Sequence, residues 1–342
     1  MEKKEKRHIA IQITASIILL AAGFAAGYAV MHAKTTDLVR SIRPVHENNF
    51  NYQFVFPLLK YDFGAARPYL EDKDLEQKIN AYVQNAYENN RAESISVYEA
   101  NLLDNDWAGV NADAEYHPAS MMKVLIMIAY YRQSQLDPAI MNQRFIYTEP
   151  IADQANAIEY NLPSDLVVGQ TYNVRDLIAL MIERSDNGAE TLLLDNSNQT
   201  ILNDIYHDLG IEVPTDVPDF TISPRTYSAF IRILYNTTYL TDAESEAALS
   251  LMASTTFTKA LAAGVPADVT VAHKYGEHVD TDAANAVTAT ELHDCGIVYA
   301  ENPYQICVMT KGYPDETEAD LAGIIKDISA LVYRYKNSAE NN

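Results

Sequence analysis

The sequence predicts an α/β chain: an antiparallel sheet built from the N- and C-terminal parts of the folded region, with flanking helices, an all-helical subdomain between them and an apolar span ahead. Three observations predict it. Runs of β-formers stand near the start (94–110) and near the end (269–310) of the region beyond the span. Segments with helical apolar spacing fill the interval. Residues 9–31 form a 23-residue stretch without a charge.

That stretch would be roughly 34 Å long as a helix, against a hydrocarbon core of about 30 Å. Lys3, Lys4, Lys6 and Arg7 precede it, so the positive-inside bias places residues 1–8 in the cytoplasm and the rest outside. A cleaved signal peptide is the competitor, because Gly27-Tyr28-Ala29 has the small-x-small form; the length favours an uncleaved transmembrane signal anchor. Residues 32–70 read as a tether with an extended piece at Tyr52–Leu58, and 71–342 as the folded domain, its helical subdomain at about 115–260.

Along that domain, Leu75, Ile79, Val83 and Ala86 space a first helix over 75–89. Segments 94–103 and 107–110 flank an Asp-Asn-Asp turn and predict paired strands. An apolar helix opens at Ser120, and a loop-rich stretch runs to Gln170. Helices follow from about Val174 to Arg184 and over 190–194, 203–209, 224–235 and 242–252. Beyond Gly264 the texture becomes sheet-like over 269–275, 296–299 and 304–310. Leu321, Ile324, Ile325, Ile328, Leu331 and Val332 then space a closing amphipathic helix.

Charge and cysteine content narrow the partners. Lys plus Arg is 25 against 47 Asp plus Glu, a net charge of −22. Such a surface repels phosphate backbones, and no basic patch is interleaved with aromatics, so nucleic acid is excluded as a partner. No Cys/His cluster has metal-ligand spacing, and no cofactor or metal is expected. Cys295 and Cys307 flank a hairpin-like segment; a disulfide and two buried thiols both fit. Oligomeric state is not readable.

Three short motifs carry chemistry. Ser120-Met-Met-Lys123 is the only Ser-x-x-Lys in the chain, and Lys123 is the one formal charge between Tyr116 and Tyr131. At i and i+3 on a helix its amine meets the Ser120 hydroxyl. Burial lowers a lysine pKa, and such a pair is an activated nucleophile. The bland alternative is a serine cap followed by a snorkelling lysine. Ser185-Asp-Asn187 ends a helix, where side chains can project into a cleft, and Lys274-Tyr275-Gly276 ends a strand, where glycine permits close approach.

In this order the motifs resemble those of the penicillin-recognising serine hydrolases, most closely the class A β-lactamase group. The resemblance runs from about Leu75 to Tyr335 and includes Ile222-Ser-Pro-Arg225, His273-Lys-Tyr-Gly276 and Asp294-Cys-Gly-Ile-Val-Tyr299. It implies a β-lactamase/transpeptidase-like fold and a serine acyl transfer on β-lactams or D-alanyl peptides. By the same resemblance Ser120 is the acylated nucleophile, Lys123 its base, and Ser185 the shuttle to the leaving nitrogen. Asn187 holds the substrate amide, Lys274 favours its carboxylate, and the backbone N–H groups of Ser120 and Glu277 form the oxyanion hole.

Three departures stand out. Tyr275 replaces a small hydroxyl residue, and Glu277 puts an acid where the family has a small residue. The family's catalytic loop glutamate has no counterpart: only 36 residues separate Asn187 from Pro224, Glu212 lacks the surrounding motif, and Thr191 stands where an asparagine would brace the loop. Acylation is expected to be intact and deacylation slow. A catalytically weak, membrane-tethered cell-envelope binding module is the alternative from another class. A Ser-His-Asp hydrolase using His273 or His293 is disfavoured, because no Gly-x-Ser-x-Gly elbow occurs.

Overall fold

The computed structural model describes residues 53–55, 70–103, 106–148, 164–213, 220–284 and 286–338, together with Gly23. All but Gly23 belong to one compact unit, Asn49–Pro57 with Tyr69–Asn342. Apart from Gly23, the expected anchor at 9–31 lies outside the described residues, as does nearly all of the tether; among those described, no helix is long and apolar enough to cross a membrane.

Five strands form one sheet in the order β2-β1-β7-β6-β5, every neighbouring pair antiparallel. They are β1 (Ser94–Asn101), β2 (Trp107–Val110), β5 (Val271–Thr281), β6 (Val287–Val298) and β7 (Tyr304–Gly312). The N-terminal hairpin thus pairs with the last strand, as the sequence predicts, and β5 is left as an edge. Helices α1 (Lys73–Glu88) and α8 (Glu318–Lys336) share a core with the sheet through Leu75, Ile79, Val83, Leu321, Ile324 and Ile328. These are the positions the helical spacing marks as apolar.

The second core belongs to the helical part. Helix α2 (Lys123–Leu136) is buried continuously from Lys123 to Tyr131, the signature of a helix surrounded on all sides. Around it lie α3 (Val174–Glu183), α4 (Asn187–Asp195), α5 (Gln199–Asp208), α6 (Pro224–Tyr235) and α7 (Asp242–Ala253). Starts are chemically marked: Ser223 caps α6 ahead of Pro224, and Thr241 with Glu244 forms a capping box on α7. The stretch expected to be loop carries a small hairpin, β3 (Arg144–Ile146) with β4 (Thr171–Asn173).

Part of the expected tether is fastened down. The N–H groups of Gln53, Phe54 and Val55 donate to the Glu246 carboxylate at 2.7, 2.7 and 3.1 Å. Phe54 packs edge-on against Tyr299, whose hydroxyl donates to the Phe54 carbonyl at 2.8 Å.

Two expectations are corrected here. Strand β5 does not end at Gly276 but continues to Thr281, and β6 begins at Val287 rather than Gly296. The extension carries His278 and Asp280 and becomes exposed toward its tip, so no apolar alternation announced it. The open cysteine alternative closes on the disulfide: Cys295 and Cys307 are direct cross-strand partners on β6 and β7 and are bonded.

Candidate active site

Ser120 is presented by a turn rather than by the helix itself. Ala119 has φ +48°, unusual for a residue with a Cβ, and Met121 N–H donates to the Pro118 carbonyl in an i→i+3 step. This 3-10 turn, Ala119–Met122, delays the α-helix until Lys123, so the expectation that Ser120 opens the helix is corrected by one turn. The buried Tyr227 hydroxyl donates to the Met121 carbonyl at 2.9 Å and pins the turn to α6.

The Lys123 amine is the hub. It lies 2.9 Å from Ser120 Oγ, 2.6 Å from the Ser185 carbonyl, 3.2 Å from Ser185 Oγ and 2.6 Å from Asn187 Oδ1. Glu190 Oε2 stands 3.4 Å away. Burial drives the Lys123 pKa below its ordinary value, opposed by the Glu190 carboxylate. Lowering an amine's pKa makes its neutral form easier to reach, and that form, beside a serine hydroxyl, can take the hydroxyl's proton.

Ser185 sits between α3 and α4 with φ +56°. Asp186 then caps α4, accepting from Ala189 N, Asp165 N and Ser164 Oγ, each at 2.8 Å. Asn187 is the first residue of that helix. The motif therefore bridges two helices. Its left-handed residue turns Ser185 Oγ toward both lysines, for Lys274 donates to the same oxygen at 2.9 Å.

Lys274 is fully buried, donates also to the Tyr275 carbonyl at 2.9 Å, and lies 4.2 Å over the Tyr275 ring. Burial first, and the neighbouring Lys123 charge second, hold its pKa well below the usual range. Tyr275 is itself buried and stacks on Phe257 at 3.9 Å, and burial pushes its phenol up. Glu277 is buried too, and its charge acts on both lysines.

The turn and the edge strand touch twice. A Cβ on Gly276 would come within 2.7 Å of the Pro118 carbonyl, so only glycine permits this approach. Beyond it, His117 and His278 stack at 4.0 Å, and burial with the facing ring presses His117 down to about 4. The arrangement brings Ser120 beside the edge that carries Glu277. His273 and His293 are engaged elsewhere. His273 Nδ1 is 2.7 Å from Asp294, and His293 Nε2 donates to the His117 carbonyl at 3.1 Å.

The residues singled out from sequence thus come from two neighbouring parts of the fold: Ser120, Lys123, Ser185 and Asn187 from the helical side, Lys274, Tyr275, Gly276 and Glu277 from the strand. Glu190 was missed. It follows Asn187 by three residues, the spacing that puts two helical side chains on one face, and that was the available signal. Of the residues expected to mark the missing loop, Glu212 and Thr191 are both exposed. No cluster able to hold a metal is found among the described residues.

A family model described as the β-lactamase enzyme family matches residues 74–336. Among solved structures, PBP-A is similar at 21% identity, covering 79% of this chain and 98% of its own, with a TM-score of 0.63. A β-lactamase from Chitinophaga pinensis is similar at 23% identity over 77% of this chain and 100% of its own, TM-score 0.63. A class A β-lactamase from Mycobacterium abscessus is similar at 20% identity, again over 77% and 100%, TM-score 0.62. The chain belongs to the β-lactamase enzyme family and is a serine hydrolase of that fold.

Proposed function

We propose that this chain is a membrane-anchored, extracytoplasmic acyl-transfer enzyme that forms an acyl-enzyme on Ser120 with β-lactams or D-alanyl peptides and releases it slowly. The observation that carries the reading is the relay of Ser120 Oγ, Lys123 Nζ, Ser185 Oγ and Lys274 Nζ, each step 2.9 to 3.2 Å. Lys123 takes the Ser120 proton as Oγ attacks the carbonyl carbon. Ser185, placed between the two amines, passes a proton to the departing nitrogen. The N–H groups of Ser120 and Glu277 are the oxyanion donors, a contribution of roughly 3 to 4 kcal/mol per donor in comparable sites. Lys274 supplies positive potential for a substrate carboxylate.

Slow release follows from the short connection between Asn187 and Pro224, which leaves no room for a full glutamate loop. Transfer of the acyl group to an amine, or its slow hydrolysis, would make the enzyme D,D-peptidase-like, and the same observation favours that second reading over a fast β-lactamase. A point mutant of PBP-A, whose structure is an acyl-enzyme complex with penicillin G, shares the fold. The cysteine pair, bonded across two strands, is at home outside the cytoplasm, and the basic N-terminus supports the same topology. A fluorescent penicillin should label the full-length chain and leave Ser120→Ala dark. Equal labelling of both would sink the Ser120 assignment, and labelling of neither would favour a non-covalent envelope-binding module.

A further inference from the structure

We infer that Glu190 is the base through which the acyl-enzyme is released, a carboxylate delivered by the helix after Ser-Asp-Asn in place of the loop glutamate. The inference rests on the acyl-enzyme reading above and goes beyond it by assigning the second half of the reaction.

Three observations carry it. Glu190 lies on the same face of α4 as Asn187, and both reach Lys123 Nζ, at 3.4 and 2.6 Å. Its side chain is three-quarters covered, with 25% exposure, so it opens to water on one side and to the lysine on the other. Third, Lys123 Nζ is 2.9 Å from Ser120 Oγ and 3.4 Å from Glu190 Oε2, so the two oxygens are at most the sum, 6.3 Å, apart. One water making two hydrogen bonds of about 2.8 Å bridges oxygens up to about 5.6 Å apart, which is within that limit. The turn that sets this up is rigid: Asp186 caps the helix, and a Cβ at Gly188 would collide with Ser164.

The step balances as hydrolysis of an ester. Glu190 takes a proton from water as the water oxygen bonds to the acyl carbon. The bond from that carbon to Ser120 Oγ breaks, its electron pair goes to Oγ, and Oγ takes up the water proton, which Glu190 hands on through the neutral Lys123 amine. Glu190 is left ionised and Lys123 neutral, as both began, and the acid leaves. Because the carboxylate is aligned by the lysine and no loop holds the water, release stays slow without being absent.

The test separates the two halves on the full-length chain with a fluorescent penicillin. Glu190→Gln should acylate within about tenfold of wild type, while release falls by at least about 10², within the usual range for a lost general base. Hydroxylamine, which needs no base, should free the adduct from both. Glu190→Asp, with an unchanged melting temperature, should release at an intermediate rate and guards against a folding defect. Release by Glu190→Gln at the wild-type rate, or equal losses in acylation and release, overturns the inference while leaving Ser120 acylation standing. A wild-type chain that forms no adduct overturns the parent reading, and this one with it.

Discussion

The site has two walls of different construction. The helical wall is built from turns: Ala119 and Ser185 both have left-handed backbone, at φ +48° and +56°, and each aims a serine at Lys123. Its lysine touches a carboxylate, Glu190. The strand wall is regular β-structure, and what it offers is backbone, a glycine and a lysine lying over an aromatic ring. Non-glycine residues at positive φ are held there only when their surroundings over-determine them. One wall is shaped to move protons; the other is shaped to approach closely and to hold negative charge.

The largest effect should come from breaking the first wall's chemistry. Lys123→Arg keeps a cation but cannot give up its proton, so acylation should fall about 10² to 10⁴-fold in stopped-flow labelling. Near-normal acylation would reduce the helical wall to a source of charge.

A smaller loss should follow from disturbing the second wall's geometry. Gly276→Ala must push the strand off the Pro118 carbonyl, and a displacement on the ångström scale costs up to about 10²-fold in rate. The loss should fall on the acylation rate with the melting temperature little changed. If acylation is unaffected, the close approach is packing alone.

The smallest effect is thermodynamic and distinguishes the lysines by pH. The folded-state pKa of Lys274 lies well below 10.5, so between the two values the unfolded chain binds the additional proton. Stability therefore rises with pH through that window and the penalty of burying the amine vanishes above it. Lys274→Met removes the linkage, so the melting-temperature difference between variant and wild type should change steadily as pH rises toward 10.5. A shift of about 2 °C or more is resolvable and corresponds to roughly 1 kcal/mol at this size. A difference independent of pH would mean that Lys274 keeps its ordinary pKa.

Legibility differed between the walls as well. The sheet's central strands and the outer helices could be read because apolar spacing and burial coincide, as at Leu75, Ile79 and Val83. The far half of β5 could not, since His278 and Asp280 project past the core and carry no alternation. Within the site, the order of the three motifs pointed to Ser120, Lys123, Ser185 and Lys274 as one group, and hydrogen bonds link them. Glu190 stayed hidden because a glutamate in a helix reads as a solvated face. Only the bend at Ser185 turns that face onto Lys123, and backbone handedness at a serine leaves no trace in composition.

The fastening of residues 53–55 has a practical consequence for trimming the chain. The first helix begins at Lys73, which makes residue 70 an inviting place to cut. That cut keeps every strand and helix described, yet it strips Glu246 of three amide donors and bares the aromatic ring of Tyr299 that Phe54 covers. A boundary ahead of Gln53 preserves both, so limited proteolysis should leave a resistant fragment that starts before the first helix by some twenty residues.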